Sequence, residues 1–145
     1  MRLVLQRVSS AEVRVAGSAV GRIGLGIVVL VGVQTGDGPG QAAAAAEKLA
    51  HLRIFRDDED KMNLGPAQAG AEFLVISQFS LAGSLDRGRR PSFAGAAPPK
   101  VAEPLVDALV EFLRRAGFRV ETGRFGARME VELVNDGPVS FVLDV

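Results

Sequence analysis

Two short stretches carry groups that could do chemistry. Ser77-Gln78-Phe79-Ser80-Leu81 leaves the apolar run Glu72 to Gln78 with two hydroxyls, an amide and successive backbone N–H groups. Donors of that kind suit stabilisation of an oxyanion. They do not make a strong nucleophile without a base to take the proton. The single histidine, His51, stands beside Leu49 and Leu52 in a helical stretch, at the edge of its apolar stripe. That weakens any Ser-His-Asp triad and any histidine-based metal site. Such a site suits an ester that is already reactive and suits an amide poorly. Taken alone, the stretch also reads as a strand end with ordinary capping hydroxyls.

The second stretch is Val134-Asn135-Asp136-Gly137-Pro138-Val139-Ser140, between apolar runs at Met129 to Leu133 and Phe141 to Val145. Asp-Gly is a common hairpin turn. Here proline follows at once, fixing φ and removing a backbone donor. Gly137-Pro138 is therefore a stiff knuckle, poor in side chain, that presents bare carbonyls. The plain alternative is a turn before a final strand.

The elements that must position these stretches read as β-β-β-α-β-α-β-β-β, a mixed α+β fold with sheet layers and two main helices covering one side. Leu3 to Val8 and Glu12 to Val15 read as strands with a turn at Ser9-Ser10. Leu3, Leu5 and Arg7 share a face, so Arg7 is either a strand-end cation reaching solvent or a partly buried one holding carbonyls or a carboxylate. Val20 to Gly24 is a turn or short strand, and Leu25 to Val33 a strand buried on both faces. A helix is predicted over Gln41 to Phe55 and a second over Glu103 to Ala116, with Pro104 in its first turn and Gly117 as its stop. Between them, Ala82 to Lys100 is a loop of a length that is usually functional or mobile. Its Arg87, Arg89 and Arg90 are either a solvated charge run or a local phosphate grip. Phe118 to Thr122, Met129 to Leu133 and Val139 to Val145 close the chain, with Met129, Val131 and Leu133 inward and Glu130 and Glu132 outward.

The 145 residues suit one domain spanning 1–145, and 48% hydrophobic residues make it globular. Cysteine is absent, which removes disulfides and thiolate chemistry. The acidic cluster at Asp57 to Asp60 lacks the alternating ligands and closing glutamate of a calcium loop. Neither a P-loop nor a dinucleotide fingerprint is present, so neither cofactor nor metal is expected. The start of the chain reads directly as a strand, the longest apolar run is too short to span a bilayer, and a cytoplasmic protein is expected. Seventeen basic and seventeen acidic residues cancel. That argues against gripping long nucleic acid through phosphates, though not against holding one end of an RNA.

Taken together, the stretches resemble the D-aminoacyl-tRNA deacylases. The likeness runs through Gln6-Arg7-Val8, Leu52-Arg53-Ile54-Phe55, Lys61-Met62-Asn63, Ser77 to Leu81, Arg90-Pro91-Ser92-Phe93, Phe125-Gly126-Ala127 with Met129, and Asn135 to Val139. Ser80 and Ser140 stand where that family usually has threonine, keeping the hydroxyl and losing a methyl. The resemblance implies hydrolysis of the ester joining a D-amino acid to the 3′-terminal adenosine of tRNA. It implies a homodimer in which a cis Gly137-Pro138 from each subunit enters the other's pocket. Ser77, Gln78, Phe79 and Ser80 would form the catalytic stretch, Arg7 would brace the knuckle, and Met129 would line the pocket. A backbone wedge selects by exclusion, so many D side chains should pass, and glycine with them. Two competitors remain: a non-catalytic module binding a nucleotide end or small ligand in the same pocket, and a general esterase with Ser80 as nucleophile.

Overall fold

The computed structural model describes residues 1–86 and 88–145, so Arg87 of the loop arginines lies outside the described residues. The chain opens with β1 (Arg2–Val15), β2 (Ser18–Ile23) and β3 (Gly26–Gly32). It continues through α1 (Pro39–Ala50), β4 (Phe55–Arg56), β5 (Met62–Leu64), a one-turn α2 (Pro66–Ala69) and β6 (Glu72–Ser77). It closes with α3 (Pro99–Arg115), β7 (Val120–Thr122) and β8 (Glu130–Asp144). The mixed α+β class predicted from the sequence is what forms. In the main sheet β1 runs antiparallel to β2, β3 and β8, while β3, β6 and β7 run parallel.

Alternation along β3 and β6 divides their side chains between two apolar clusters. Ile27, Val29, Val31, Phe73 and Val75 join the larger one with Leu49 of α1 and Leu109 of α3. Val28, Leu74 and Ile76 join a smaller one with Val8 and Val13, against which Met129 and Leu133 pack. Burial on both faces is why these strands read as unbroken apolar runs. Among the described residues no helix is long and apolar enough to cross a membrane.

Several element boundaries differ from the sequence expectation. β1 runs straight through Ser9-Ser10, with register shifts against β8 on either side of Val8. The turn falls instead at Ala16 (φ 49°) and Gly17 (φ 80°), the two left-handed residues that a tight hairpin needs. α1 stops at Ala50 with His51 as its C-cap, because the chain then turns to bury Ile54 and Phe55. α3 starts at Pro99, four residues before Glu103, which leaves Pro104 inside the helix. The proline is tolerated there on the exposed face, while Ala102, Leu105, Val106 and Leu109 fill the core. The two last predicted strands are one strand, β8, paired along most of β1.

A carboxylate toward the end of β1 sets one pH response. Glu12 is only 8% exposed. A hydrogen bond from Arg22, helped by the charges of Arg14 and Arg22, holds it below the ordinary 4.5 despite burial, which acts the other way. A lowered folded value means that ionised Glu12 stabilises the fold above the unfolded pKa, and that this stability is lost as pH falls through the folded value. Glu12→Gln should therefore lower the melting temperature at pH 7 by more than at pH 3. Equal deficits at the two pH values would refute the assignment.

Candidate active site

Parallel strands β3 and β6 end side by side, and a cavity of about 370 Å³ opens at their carboxyl ends. Sites commonly form at such strand ends. Val31 and Val33 line one wall, Ser77, Gln78 and Phe79 another. The start of α3, the Phe125-Gly126-Ala127 turn, Met129 and Val131 complete it. Val131, predicted to face inward, is 39% exposed because this cavity is what it faces.

Ser77-Gln78-Phe79-Ser80 is held by backbone bonds from both sides. The Gln78 N–H donates to the Val31 carbonyl at 2.7 Å, and the Leu81 N–H to the Gln78 carbonyl at 3.1 Å as the 3-10 turn Phe79–Ala82 begins. Gly32 makes room for that turn, since a Cβ there would come within 2.7 Å of the Leu81 Cβ. The N–H groups of Phe79 and Ser80 find no acceptor among the described residues. Of the two, Phe79 belongs to this wall. Ser80 is exposed, its Oγ accepts from the Gln78 side-chain amide, and it is not part of the cavity lining. His51 sits away from this cavity at the end of α1, its Nδ1 3.3 Å from Glu47. No described hydrogen bond joins a base to Ser77 or Ser80.

Met129 is fixed by backbone contacts. The Arg124 N–H donates to its Sδ at 3.3 Å, and a Cβ added to Gly123 would lie 2.5 Å from that sulfur.

Gly137-Pro138 is cis, exposed and outside the cavity lining, so one copy of the chain does not bring the two signature stretches together. It is a bulge in β8: Ser140 pairs with Gln6 and Asn135 with Val8, so Arg7 alone faces the extra residues. Arg7, 2% exposed, fixes the bulge from beneath. Its Nε donates to the Asp136 carbonyl at 3.1 Å and lies 3.3 Å from the Asp136 carboxylate, and its Nη1 donates to the Ile54 carbonyl at 2.6 Å. Of the two readings open for Arg7, the buried cation is the one that forms. Gly137 has φ +137°, and a Cβ there would meet Val139 at 2.7 Å and the Arg7 guanidinium at 3.2 Å. Only glycine fits that place.

Sequence reasoning gave Asn135 no role. Its Oδ1 accepts from the Val139 N–H at 2.7 Å and its Nδ2 donates to Ser140 Oγ at 3.0 Å, closing the bulge from within. An Asx side chain before a turn was the available signal.

The family model described as D-Tyr-tRNA(Tyr) deacylase matches residues 4–144. A D-aminoacyl-tRNA deacylase of Roseiflexus sp. (strain RS-1) is 54% identical over 144 residues, covering 99% of this chain and 93% of that one. Among solved structures, one named c-Myc DNA Unwinding Element Binding Protein superposes with TM-score 0.93 at 35% identity, covering 100% of this chain and 99% of its own. Another, described as a probable eukaryotic D-amino acid tRNA deacylase, shares the fold with TM-score 0.83 at 22% identity, covering 99% and 98%. With the family model and the Roseiflexus relative each spanning nearly all of it, the chain belongs to the D-Tyr-tRNA(Tyr) deacylase family.

Proposed function

We infer that this chain hydrolyses the ester between a D-amino acid and the 3′-terminal adenosine of tRNA, and that a second copy supplies the Gly137-Pro138 knuckle to the cavity. The observation that carries the reading is the separation of the two signatures. Ser77 to Phe79 line a cavity, while the knuckle is braced, exposed and turned elsewhere on the same chain. A homodimer joins them. Exposed Val134, Phe141 and Val142 on β8, the strand carrying the knuckle, support such an interface.

In the mechanism, the unpaired amide N–H of Phe79 on the cavity wall receives the developing oxyanion. The neighbouring ribose 2′-hydroxyl helps activate water, so the protein supplies position rather than a base. The knuckle occupies the direction an L side chain would take. Met129 and Val131 form the apolar wall on the β8 side. A chain of zero net charge fits a substrate held mainly by its end, and aminoacylated tRNA as the substrate supports a cytoplasmic enzyme.

The test is deacylation of matched D-, L- and glycyl-tRNA by the purified protein. D-aminoacyl-tRNA and glycyl-tRNA should turn over while L-aminoacyl-tRNA is spared. Binding without turnover would favour the non-catalytic module. Glycyl-tRNA as resistant as L-alanyl-tRNA would remove the wedge as the selecting element.

A further inference from the structure

The cavity wall carries a sulfur whose reactivity ester hydrolysis does not use. The chain has three methionines and neither cysteine, tryptophan nor tyrosine, so thioethers are its readily oxidised side chains. Exposure ranks them. Met1 is 2% exposed within the larger core cluster, Met62 is 54% exposed, and Met129 is partly buried as part of the cavity lining.

Backbone decides which face of the Met129 sulfur a reagent can reach. Gly123 closes one side, since an added Cβ there would lie 2.5 Å from Sδ. On another side the Arg124 N–H donates to Sδ at 3.3 Å and engages one of its lone pairs. The second lone pair is left to the cavity. Around it the lining is apolar, with Val31, Val33, Phe125, Val131 and Phe79, whose ring packs on Phe93 at a centroid distance of 4.9 Å.

We propose that Met129 Sδ is an oxidation site for small hydroperoxides, and that its sulfoxide shuts the cavity to substrate. The free lone pair attacks the outer oxygen of the peroxide. An S–O bond forms, the O–O bond breaks, and the departing hydroxide or alkoxide takes the peroxide's own proton to leave as water or alcohol. Sulfur loses two electrons and the peroxide gains them. A flexible apolar wall thereby becomes polar and chiral, with its new oxygen in the space meant for the acyl group. The loss of turnover rests on the deacylase reading of this cavity, whereas the oxidation does not.

Graded hydrogen peroxide, followed by mass spectrometry of proteolytic peptides and by deacylation of D-aminoacyl-tRNA, tests both parts. Met62 and Met129 should each gain one oxygen while Met1 stays reduced. With one lone pair engaged, the Met129 peptide should be reduced by only one of the two epimer-specific methionine sulfoxide reductases, whereas the Met62 peptide needs both. As Met129 is oxidised, kcat/KM should fall roughly tenfold or more, in Met62→Leu as in wild type. Met129→Leu, which conserves volume, should keep its own untreated rate after treatment. No turnover even before treatment, with a single epimer at Met129, would sink the deacylase reading and still support the oxidation site. Met129 oxidised no faster than Met1, an even mixture of its epimers, or full turnover by protein oxidised at Met129 would overturn the proposal. So would an equal loss in Met129→Leu, or a collapse of the melting temperature on oxidation, which would make the sulfur a packing group.

Discussion

A tRNA charged with a D-amino acid but ending in 2′-deoxyadenosine is expected to be hydrolysed ~100-fold or more slowly than its ribose counterpart, while Ser80→Ala stays within about threefold of wild type. Both halves follow from what surrounds the hydroxyls. Ser80 Oγ already accepts from the Gln78 amide, lies outside the cavity lining and has no base beside it. The lone histidine is an exposed helix cap with Glu47 as its partner. With no side chain among the described residues placed to take a proton, the group that activates water is assigned to the substrate, whose 2′-hydroxyl is adjacent to the scissile ester. Single-turnover rates at saturating enzyme separate slower chemistry from weaker binding. Trapping an acyl-Ser80 adduct, or finding equal rates on the two tRNAs, would refute the scheme.

What could be read in the sequence followed from how local its cause was. β3 and β6 were legible because burial on both faces writes itself as an unbroken apolar run. The Ser77 to Ser80 stretch was legible as a strand end for the same reason. Ser9-Ser10 was misread because polar composition suggests a turn, whereas β8 pairs across it and carries β1 through. The real turn at Ala16-Gly17 has only one residue that advertises positive φ. α1 was drawn too long because Leu52 and Phe55 continue its apolar spacing, although Phe55 is buried as a strand residue. Long-range partners were illegible. Nothing near Arg7 announces a carbonyl 47 positions away at Ile54, and nothing near Phe79 announces Phe93. The bulge shows the limit most plainly. Its residues were read as a stiff knuckle joining two strands, but that it projects from one strand depends on the register with β1.

Arg7→Lys should lower the ratio of D- to L-aminoacyl-tRNA hydrolysis by about tenfold or more, because it keeps the charge and loses the fork. In the native protein one guanidinium reaches two carbonyls from different nitrogens, Asp136 through Nε at 3.1 Å and Ile54 through Nη1 at 2.6 Å. A guanidinium spans such a pair in a fixed plane, whereas an ammonium is a single point on a flexible stem. Lysine cannot reproduce both bonds in the guanidinium's fixed plane and holds at least one of those carbonyls less well. If it keeps Ile54, the buried acceptor, the bulge at Asp136 loses its brace and Gly137-Pro138 swings within whatever limits Asn135 leaves. A wedge free to move admits some L side chains, so L-aminoacyl-tRNA hydrolysis rises as the D rate falls. Alanine is the harsher variant. It abandons a buried acceptor, worth ~1–3 kcal/mol, and empties the space of a nearly fully buried long side chain, worth ~2–5 kcal/mol. Against total stabilities of ~5–15 kcal/mol, Arg7→Ala is expected to melt far earlier and to report on folding more than on selection. Asn135→Ala loosens the same bulge from within, by releasing the Val139 N–H and Ser140 Oγ, and should shift selectivity in the same direction without touching Arg7. The measurement is the D-to-L rate ratio for Arg7→Lys and Asn135→Ala, with melting temperatures recorded in parallel. Wild-type ratios in both variants would mean that the orientation of the knuckle does not select the substrate's hand.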